Sequence, residues 1–293
     1  MKYAAIDIGT NAARLLVGEV MLKDQSFFIK KISYTRIPLR LGEDVFESGK
    51  VSKDKIDDFL KTMKAFKLIS EIFDVQEVRA VSTSAMREAT NANKIIDSIK
   101  EETGIKIEII SGDEEASLIF SNFFAMELDL SVPFVVIDVG GGSTELSVFE
   151  NGEKIASKSF NVGTLRILKG KSDESVWENI HDWILKYVDL SSEHRIFGTG
   201  GNINKAHKML GYSFEEPIGL VEMKELRDKL ARLTIDERID QFHMKPDRAD
   251  VIVPALDIFS YILNEIGANS LMVPKVGLAD GMIYEMYHRN NNN

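Results

Sequence analysis

Apolar and polar positions along this chain repeat with two different periods. Strand-like runs occur at about Tyr3–Val20 and Phe27–Arg36, and apolar side chains at helical spacing follow in residues 54–73. Both kinds of segment recur down to a last helix, which the pattern predicts from about Leu278. Strands that alternate with helices in this way predict an α/β protein.

The pattern breaks in the middle of the chain, at Leu128–Pro133, before a new apolar run begins. We therefore predict two domains, residues 1–125 and 126–293. Within them the spacing predicts strands at Val75–Ser82, Ile105–Ile110, Phe134–Val139, Leu271–Val273 and one ending at Phe197, and helices at Asn93–Thr103, Asp113–Glu127, Glu222–Leu233 and Ala249–Ile266.

The second half repeats the opening of the first. Residues 5–15 align with residues 136–146 at an offset of 131. Each copy reads as a buried strand ending in an aspartate, Asp7 or Asp138, then a glycine-containing turn and an outgoing strand. A duplication of this kind predicts two similar domains that face one another and each offer one turn to a shared cleft.

Composition narrows the possible chemistry. The 293 residues include no cysteine, which excludes disulfides, thiolate ligands and a cysteine nucleophile. The net charge of −10 argues against binding of nucleic acid or a membrane surface, both of which need a basic footprint. Because no signal-peptide or membrane-spanning run occurs, we expect a cytoplasmic protein. A polyanionic substrate would then need a metal ion or backbone amides to bind.

The glycine-rich turn Gly140–Gly142 is the strongest local signal. Three glycines after an apolar strand allow a ligand to approach the backbone closely, and their N–H groups, with the hydroxyls of Ser143 and Thr144, suit a phosphoryl group. The flanking carboxylates of Asp138 and Glu145 could hold Mg²⁺. The alternative from the residues alone is a tight turn beside two solvated acids.

Two other phosphate-binding motifs do not fit. A dinucleotide fingerprint would need a small residue where Glu145 stands, followed by a helix, and the outgoing segment has a strand pattern. The stretch Gly170–Ser172 resembles part of a P-loop, but Leu165 stands where that motif needs its first glycine.

Three further segments have both a structural and a functional interpretation. Thr10, Asn11 and Arg14 belong either to an ordinary hairpin or to a second phosphate loop. Arg87 is either a surface helical arginine or a group that grips an incoming phosphate. The acids Asp113–Glu115 either stabilise a helix N-terminus or include a group that orients water for hydrolysis.

The histidines give no support to metal or triad chemistry. They show no ligand spacing and stand in polar contexts, so we expect surface residues. The five are His181, His194, His207, His243 and His288.

Taken in order, these motifs closely resemble the exopolyphosphatase and guanosine pentaphosphate phosphohydrolase (Ppx/GppA) family, within the superfamily of actin-like ATPases and sugar kinases. The resemblance covers nearly the whole chain. It rests on IDIGTNAARLLV at 6–17, STSAMREATN at 82–91, IISGDEEASLIF at 109–120, VIDVGGGSTELSV at 136–148, VGTLRI at 162–167, GTGGNI at 198–203 and RADVIVPAL at 248–256. It implies two actin-like (ribonuclease H-like) α/β domains, each a mixed sheet flanked by helices, with the active site in the cleft between them.

The resemblance also implies a role for each matching residue. Glu115 corresponds to the catalytic acid of the family, and Arg87 to the arginine that grips the substrate. Asp138 and Glu145 correspond to its magnesium ligands. The phosphate loops correspond to Thr10, Asn11 and Arg14, and to Gly140, Gly141, Gly142, Ser143 and Thr144. Ala12 departs from the pattern, since the family usually has a small hydroxyl residue there.

The implied activity is release of terminal orthophosphate from inorganic polyphosphate or guanosine pentaphosphate, and the resemblance is compatible with a homodimer. Two alternatives stay open. An ATP-dependent kinase or ATPase of the same superfamily would use the loop Gly198–Gly201 for adenosine. A sensor would bind nucleotide or polyphosphate without turnover. Retention of the acidic residues disfavours the sensor, because binding alone needs no water-orienting acid.

Overall fold

The computed structural model describes residues 1–23, 26–125, 129 and 131–291, and the chain divides into two compact units. The first unit comprises Met1–Leu128 and Val276–Asn293, and the second comprises Asp129–Lys275. The sequence pattern assigned the whole of residues 126–293 to the second domain, whereas the last helix belongs to the first unit. The boundary expected near residue 126 lies outside the described residues.

A five-stranded mixed sheet forms the centre of the first unit. Its strands are β1 (Lys2–Ile8), β2 (Ala13–Lys23), β3 (Ser26–Ile37), β4 (Glu77–Ser82) and β5 (Ile107–Ile109). Its helices are α1 (Leu41–Ser48), α2 (Lys53–Ile72), α3 (Ser84–Glu88), α4 (Ala92–Thr103), α5 (Gly112–Ala125) and α13 (Leu278–Asn291). The strand order is β3-β2-β1-β4-β5, with β1, β4 and β5 parallel, so their carboxyl ends lie at one edge.

The second unit repeats this plan with four strands in the order β8-β7-β6-β9. These strands are β6 (Phe134–Val139), β7 (Thr144–Glu150), β8 (Glu153–Phe160) and β9 (Arg195–Thr199), and a separate two-stranded sheet pairs β10 (Ile218–Gly219) with β11 (Ser270–Leu271). Its helices are α6 (Thr164–Leu168), α7 (Ser175–Tyr187), α8 (Gly201–Leu210), α9 (Leu220–Ala231), α10 (Ile235–Phe242), α11 (Pro246–Ala249) and α12 (Ile252–Ile266). Phe134 stacks on Phe149 directly opposite at 4.8 Å between ring centroids, which helps fix the register of β6 and β7.

Helix α13 belongs to the first unit because its surface fits that unit closely. A Cβ atom added to Gly281 would lie 1.7 Å from the carbonyl oxygen of Leu118 on α5, so only glycine allows this approach of the two helices. At Gly18 on β2, an added Cβ would lie 2.8 Å from Ile283 of α13. The two glycines thus dock α13 on both the sheet and α5.

Most elements predicted from the pattern are present, and the differences are local. The helix expected over Ala249–Ile266 is split into α11 and α12. Glu127, the expected end of α5, lies outside the described residues. Among the described helices, none has the length and apolar content that crossing a membrane would require.

Candidate functional site

The two copies of the predicted repeat have the same strand register. In the first unit Asp7 on β1 pairs with Arg14 on β2, and in the second Asp138 on β6 pairs with Glu145 on β7. Each residue of the second pair is 131 positions after its counterpart. The duplication inferred from the sequence is therefore confirmed at the level of hydrogen-bonded partners.

The turns between these strands close in the same way. The N–H of Gly9 donates to the carbonyl oxygen of Ala12 at 3.1 Å, and the N–H of Gly140 donates to that of Ser143 at 3.0 Å. A Cβ added to Gly140 would lie 3.1 Å from the Ser143 carbonyl oxygen, so even a methyl group there is tight. Both turns thus bring the end of one strand directly back into the next.

In the second unit, the carbonyl groups of the turn are held from behind by α6. The N–H of Thr164 donates to the carbonyl oxygen of Gly140 at 3.0 Å, and the N–H of Leu165 donates to that of Gly141 at 2.8 Å. Gly163 precedes this helix, and a Cβ there would lie 2.6 Å from Gly141. A glycine at position 163 therefore lets the first turn of the helix reach the turn of the hairpin.

The next carbonyl of the turn is held by a side chain, because Nε of Arg166 donates to the carbonyl oxygen of Gly142 at 2.8 Å. In a trans peptide the C=O and N–H groups point in opposite directions. Three successive carbonyls fixed on one side therefore turn the N–H groups of Gly141, Gly142 and Ser143 to the other side. Within the described residues these three N–H groups donate to no other backbone group. They form a row of donors suited to an anion.

Beside this row stand the two carboxylates of the second unit. Asp138 and Glu145 lie opposite each other across β6 and β7, and like charges in that position repel. Each accepts a hydroxyl bond, Asp138 Oδ1 from Thr199 at 2.6 Å and Glu145 Oε1 from Ser159 at 2.7 Å. Two closely placed carboxylates held by hydroxyls offer the oxygen ligands that Mg²⁺ prefers.

Thr144 has a different contact from the one expected. Its side chain is fully buried, and its hydroxyl donates to the carbonyl oxygen of Val162 at 2.7 Å. The hydroxyl proton is therefore used inside the unit, tying β7 to the segment that leads into α6. This contact favours a structural role for Thr144, although the sequence placed it among the phosphate-binding residues.

The first unit holds its own turn by the same device. The carbonyl oxygen of Thr10 accepts from the N–H of Gly42, and that of Asn11 accepts from the N–H of Arg40, both at 3.0 Å. Gly42 is in the first turn of α1, so a helix start again lies behind the hairpin turn. The N–H groups of Asn11 and Ala12 are directed away from α1 by the peptide geometry described above.

Arg14 forms an ion pair with Asp7, with Nη1 2.5 Å from Oδ2. The arginine side chain keeps 27% of its surface exposed, so it can contact a ligand while it neutralises the aspartate. Where the second unit has two acids facing each other, the first unit has an acid and a fixed cation.

Arg87 and Glu115 are both placed near the carboxyl edge of the first sheet. Nη1 of Arg87 donates to the carbonyl oxygen of Ile110 at 2.7 Å, just beyond β5, and α5 begins two residues later. Arg87 is exposed, and Glu115 lies in the first turn of α5. The two separate motifs that contain these residues, 82–91 and 109–120, therefore meet at one edge of the first unit.

Glu114 and Glu115 differ in what they contact. Glu114 accepts a hydrogen bond from the N–H of Ser111 at 2.7 Å, and its own N–H donates to the Ser111 hydroxyl at 3.2 Å. These bonds hold the pKa of Glu114 below its ordinary value. Glu114 thus serves as the cap of α5, which supports the assignment of the functional role to Glu115.

Sequence reasoning missed several residues that shape the site. Arg166 stood within a quoted motif without a role, and Thr199 and Ser159 gave no signal because their partners are distant in sequence. The expectation that all histidines are surface residues was wrong for His207, which is completely buried and bonded to the carbonyl oxygen of Glu216. None of these contacts can be read from periodicity, since each joins separate elements.

The fold resembles solved structures over nearly the whole chain. The crystal structure titled as an exopolyphosphatase from Cytophaga hutchinsonii has a TM-score of 0.82 at 25% identity, covering 98% of this chain and 97% of that one. The Aquifex aeolicus member of the Ppx/GppA family has a TM-score of 0.77 at 25% identity, covering 100% and 99%. The expected fold class, two actin-like α/β domains with mixed sheets flanked by helices, is confirmed.

The family itself is also identified. The model of the Ppx/GppA phosphatase family matches residues 20–290, so the chain belongs to that family. It is 30% identical over 308 residues to a bifunctional 3-dehydroquinate synthase/phosphatase of Fusobacterium nucleatum, covering 96% of this chain and 46% of that protein. It is 27% identical over 298 residues to a guanosine-5'-triphosphate,3'-diphosphate pyrophosphatase of Vibrio cholerae, covering 97% and 59%. The chain thus spans about half the length of these relatives.

Proposed function

We propose that this chain hydrolyses phosphoanhydrides, releasing the terminal orthophosphate of inorganic polyphosphate, guanosine pentaphosphate or both. The observation that carries the proposal is the turn Gly140–Ser143, which presents three N–H groups on one side next to the acid pair Asp138 and Glu145. Family membership and the names of the Vibrio and Cytophaga proteins supply the substrate class.

Binding of the terminal phosphoryl group is assigned to backbone donors and cations. In the second unit the N–H groups of Gly141 and Gly142 and the hydroxyl of Ser143 donate to its oxygens. In the first unit Thr10 and Asn11 contribute a second turn, and Arg14 and Arg87 contribute positive charge. That both units act on one substrate is part of the proposal.

Asp138 and Glu145 fit a hard divalent cation, because two adjacent carboxylates offer the oxygen ligands that such an ion takes. When bound there, Mg²⁺ would offset negative charge on the substrate phosphates. Thr199 and Ser159 fix the orientation of the two carboxylates through their hydroxyls.

The chemical step needs an oriented water molecule, and we assign this task to Glu115. The water oxygen bonds to the terminal phosphorus as the bond to the bridging oxygen breaks, and the carboxylate accepts the water proton. The bridging oxygen leaves with the shortened chain. Because phosphoryl transfer passes through a loose transition state, positioning and charge provide most of the acceleration.

Replacement of Glu115 by Gln tests this step. We expect turnover to fall by about 10²–10⁴-fold while substrate affinity is largely retained, because the amide keeps the shape but accepts no proton. The matched control is Glu114→Gln, because Glu114 is the next residue in the chain and its carboxylate caps α5. It should cost little activity. Near-normal turnover of Glu115→Gln would remove this residue from the mechanism.

The substrate is tested by phosphate release from short polyphosphate, long polyphosphate, guanosine pentaphosphate and ATP, each with and without Mg²⁺. We expect release from polyphosphate or guanosine pentaphosphate in the absence of any acceptor. Release from ATP alone would favour an ATPase or kinase, and binding of all four compounds without release would favour a sensor. Either result would overturn the proposed hydrolase.

A further inference from the structure

Arg166 is a buried cation that takes no part in the chemical step proposed above. Only 8% of its surface is exposed. Burial of a guanidinium costs free energy, and packing alone would be served as well by an apolar side chain. This side chain lies directly behind the Gly140–Ser143 turn and contacts it.

Two contacts of Arg166 are with carbonyl groups of the turn. Its backbone N–H donates to the carbonyl oxygen of Gly141 at 3.1 Å, and its Nε donates to that of Gly142 at 2.8 Å. The Gly141 carbonyl is also held by the N–H of Leu165 at 2.8 Å, so the guanidinium itself fixes the next peptide group, that between Gly142 and Ser143. Because C=O and N–H of a trans peptide are opposed, these bonds set the directions of the N–H groups of Gly142 and Ser143.

The three glycines of the turn are the reason why its carbonyl groups need to be held in place. A run of three glycines has more accessible backbone conformations than any other sequence, and ordering it costs entropy each time an anion binds. Bonds that hold the carbonyls before the ligand arrives reduce that cost.

We infer that Arg166 is the positioning residue of the anion-binding turn. It acts through the turn, without itself contacting the phosphoryl group, because its guanidinium fixes the Gly142 carbonyl and with it the direction of the Ser143 N–H. The inference rests on the proposed function only for the identity of the anion. The class of ligand that the turn would bind, a phosphate or polyphosphate oxyanion, follows from the row of N–H groups.

The test combines anion binding with kinetics in the 293-residue chain. Inorganic tripolyphosphate is titrated in EDTA, and the amide signals of Gly141, Gly142 and Ser143 are followed by NMR in the wild type and in Arg166→Met. We expect the dissociation constant and the KM to rise by about 10-fold or more, the range for loss of a hydrogen bond to a charged group. Arg166→Lys should recover part of the affinity through its charge, and Arg166→Gln part through its donor.

Arg238→Met is the matched control in the same unit. Arg238 also bonds two backbone carbonyls, those of Leu230 and Ala249, each at 2.8 Å, and makes no bond to the turn. The Arg238→Met substitution should lower the melting temperature without changing KM or the affinity for tripolyphosphate. A merely structural Arg166 would behave in the same way.

The outcomes separate the two proposals. If the wild type releases no phosphate but the turn amides still respond to tripolyphosphate and Arg166→Met weakens that response, the hydrolase proposal is wrong and the inference about Arg166 holds. If the Arg166 variants bind tripolyphosphate as tightly as the wild type, the inference is overturned. It is also overturned if the wild-type turn amides do not respond. Should Arg166→Met fail to fold, Arg166→Lys and Arg166→Gln carry the same comparison.

Discussion

The carboxylates of Asp138 and Glu145 depend on hydroxyl groups from strands on either side of them. Thr199 on β9 bonds Asp138, and Ser159 on β8 bonds Glu145. Each hydroxyl reaches one oxygen of its carboxylate, which fixes the side-chain rotamer. Partners of this kind orient metal ligands and tune their affinity even though they do not contact the ion.

Replacement of Ser159 by Ala should therefore raise the Mg²⁺ concentration needed for half-maximal phosphate release by about 10-fold or more. The expected cause is a Glu145 side chain that is less well oriented. Binding of Mn²⁺ measured by electron paramagnetic resonance should weaken in parallel. Ser147→Ala is the control, because Ser147 bonds Ser157 on the same two strands. Equal metal dependence of the two variants would contradict the assigned role of Ser159.

For single residues, the sequence identified site residues that are close together along the chain better than it identified their contacts. Asp138, Glu145 and the glycines between them were found because they are adjacent along one hairpin. Ser159 and Thr199 were missed because they reach the same point from different strands. Thr144 was assigned to phosphate because a hydroxyl in a turn looks like a donor, and only the fold shows its bond to Val162.

Two short helices, α1 and α6, have equivalent positions in the two units. Each begins behind a hairpin turn and donates backbone N–H groups to its carbonyls. Periodicity did not reveal these helices, since eight and five residues are too few to show a clear helical repeat. The long helices α2, α4 and α12 were predicted because their apolar stripes extend over several turns.

The start of α1 is stabilised by a charged network that reaches the first turn. Arg40 adopts a left-handed conformation with φ of 51°, its N–H holds the carbonyl of Asn11, and its own carbonyl accepts a bond from Lys55 at 2.5 Å. Lys55 also bonds Glu43 at 2.8 Å. Burial raises the pKa of Glu43, but Lys55 and Arg40 outweigh this effect and hold it below its ordinary value.

This network gives a pH-dependent prediction. A carboxylate with a lowered pKa in the folded state stabilises the fold above its ordinary pKa of 4.5, and that stability is lost as the pH falls through the lowered value. Lys55→Met should therefore reduce the free energy of unfolding by about 1 kcal/mol at neutral pH and by less at an acidic pH at which Glu43 is protonated in the fold. Urea denaturation at both pH values measures the difference.

Lys61→Met is the control for this prediction. Lys61 lies on the same helix and pairs with Asp58, but both side chains are largely exposed, so the change should stay within about 0.5 kcal/mol at either pH. An equal loss for Lys55→Met at both pH values would show that the pairing with Glu43 does not contribute.

For the whole molecule, the internal repeat could be predicted from the sequence. The packing of the last helix, α13, on the first unit could not. Residues 5–15 and 136–146 share a visible pattern, so two similar units followed directly. The pattern of α13 shows one buried face but not which unit covers it. That choice depends on Gly18 and Gly281, whose missing side chains admit α13 into the first unit.

The repeat has diverged at one decisive position. Asp7 faces Arg14 in the first unit, whereas Asp138 faces Glu145 in the second, in the same register. A fixed guanidinium thus balances the aspartate in one copy, and the other copy presents two carboxylates, which are oxygen ligands of the kind a divalent cation takes. The two hairpins therefore differ in charge at equivalent positions, which is the difference that the proposed metal site requires.

Conversion of Arg14 to Glu tests this equivalence by giving the first copy the acid pair of the second. In EDTA the melting temperature of the variant should be lower than that of the wild type by about 2–4 °C or more, because like charges then face each other across β1 and β2. Mn²⁺ or Mg²⁺ should restore part of the loss, beyond any effect on the wild type. Arg14→Met, which removes the ion pair without adding an acid, should lose stability but gain no extra response to metal. If both variants respond to metal as the wild type does, the first hairpin cannot take the role of the second, and the functional divergence lies elsewhere than at this pair.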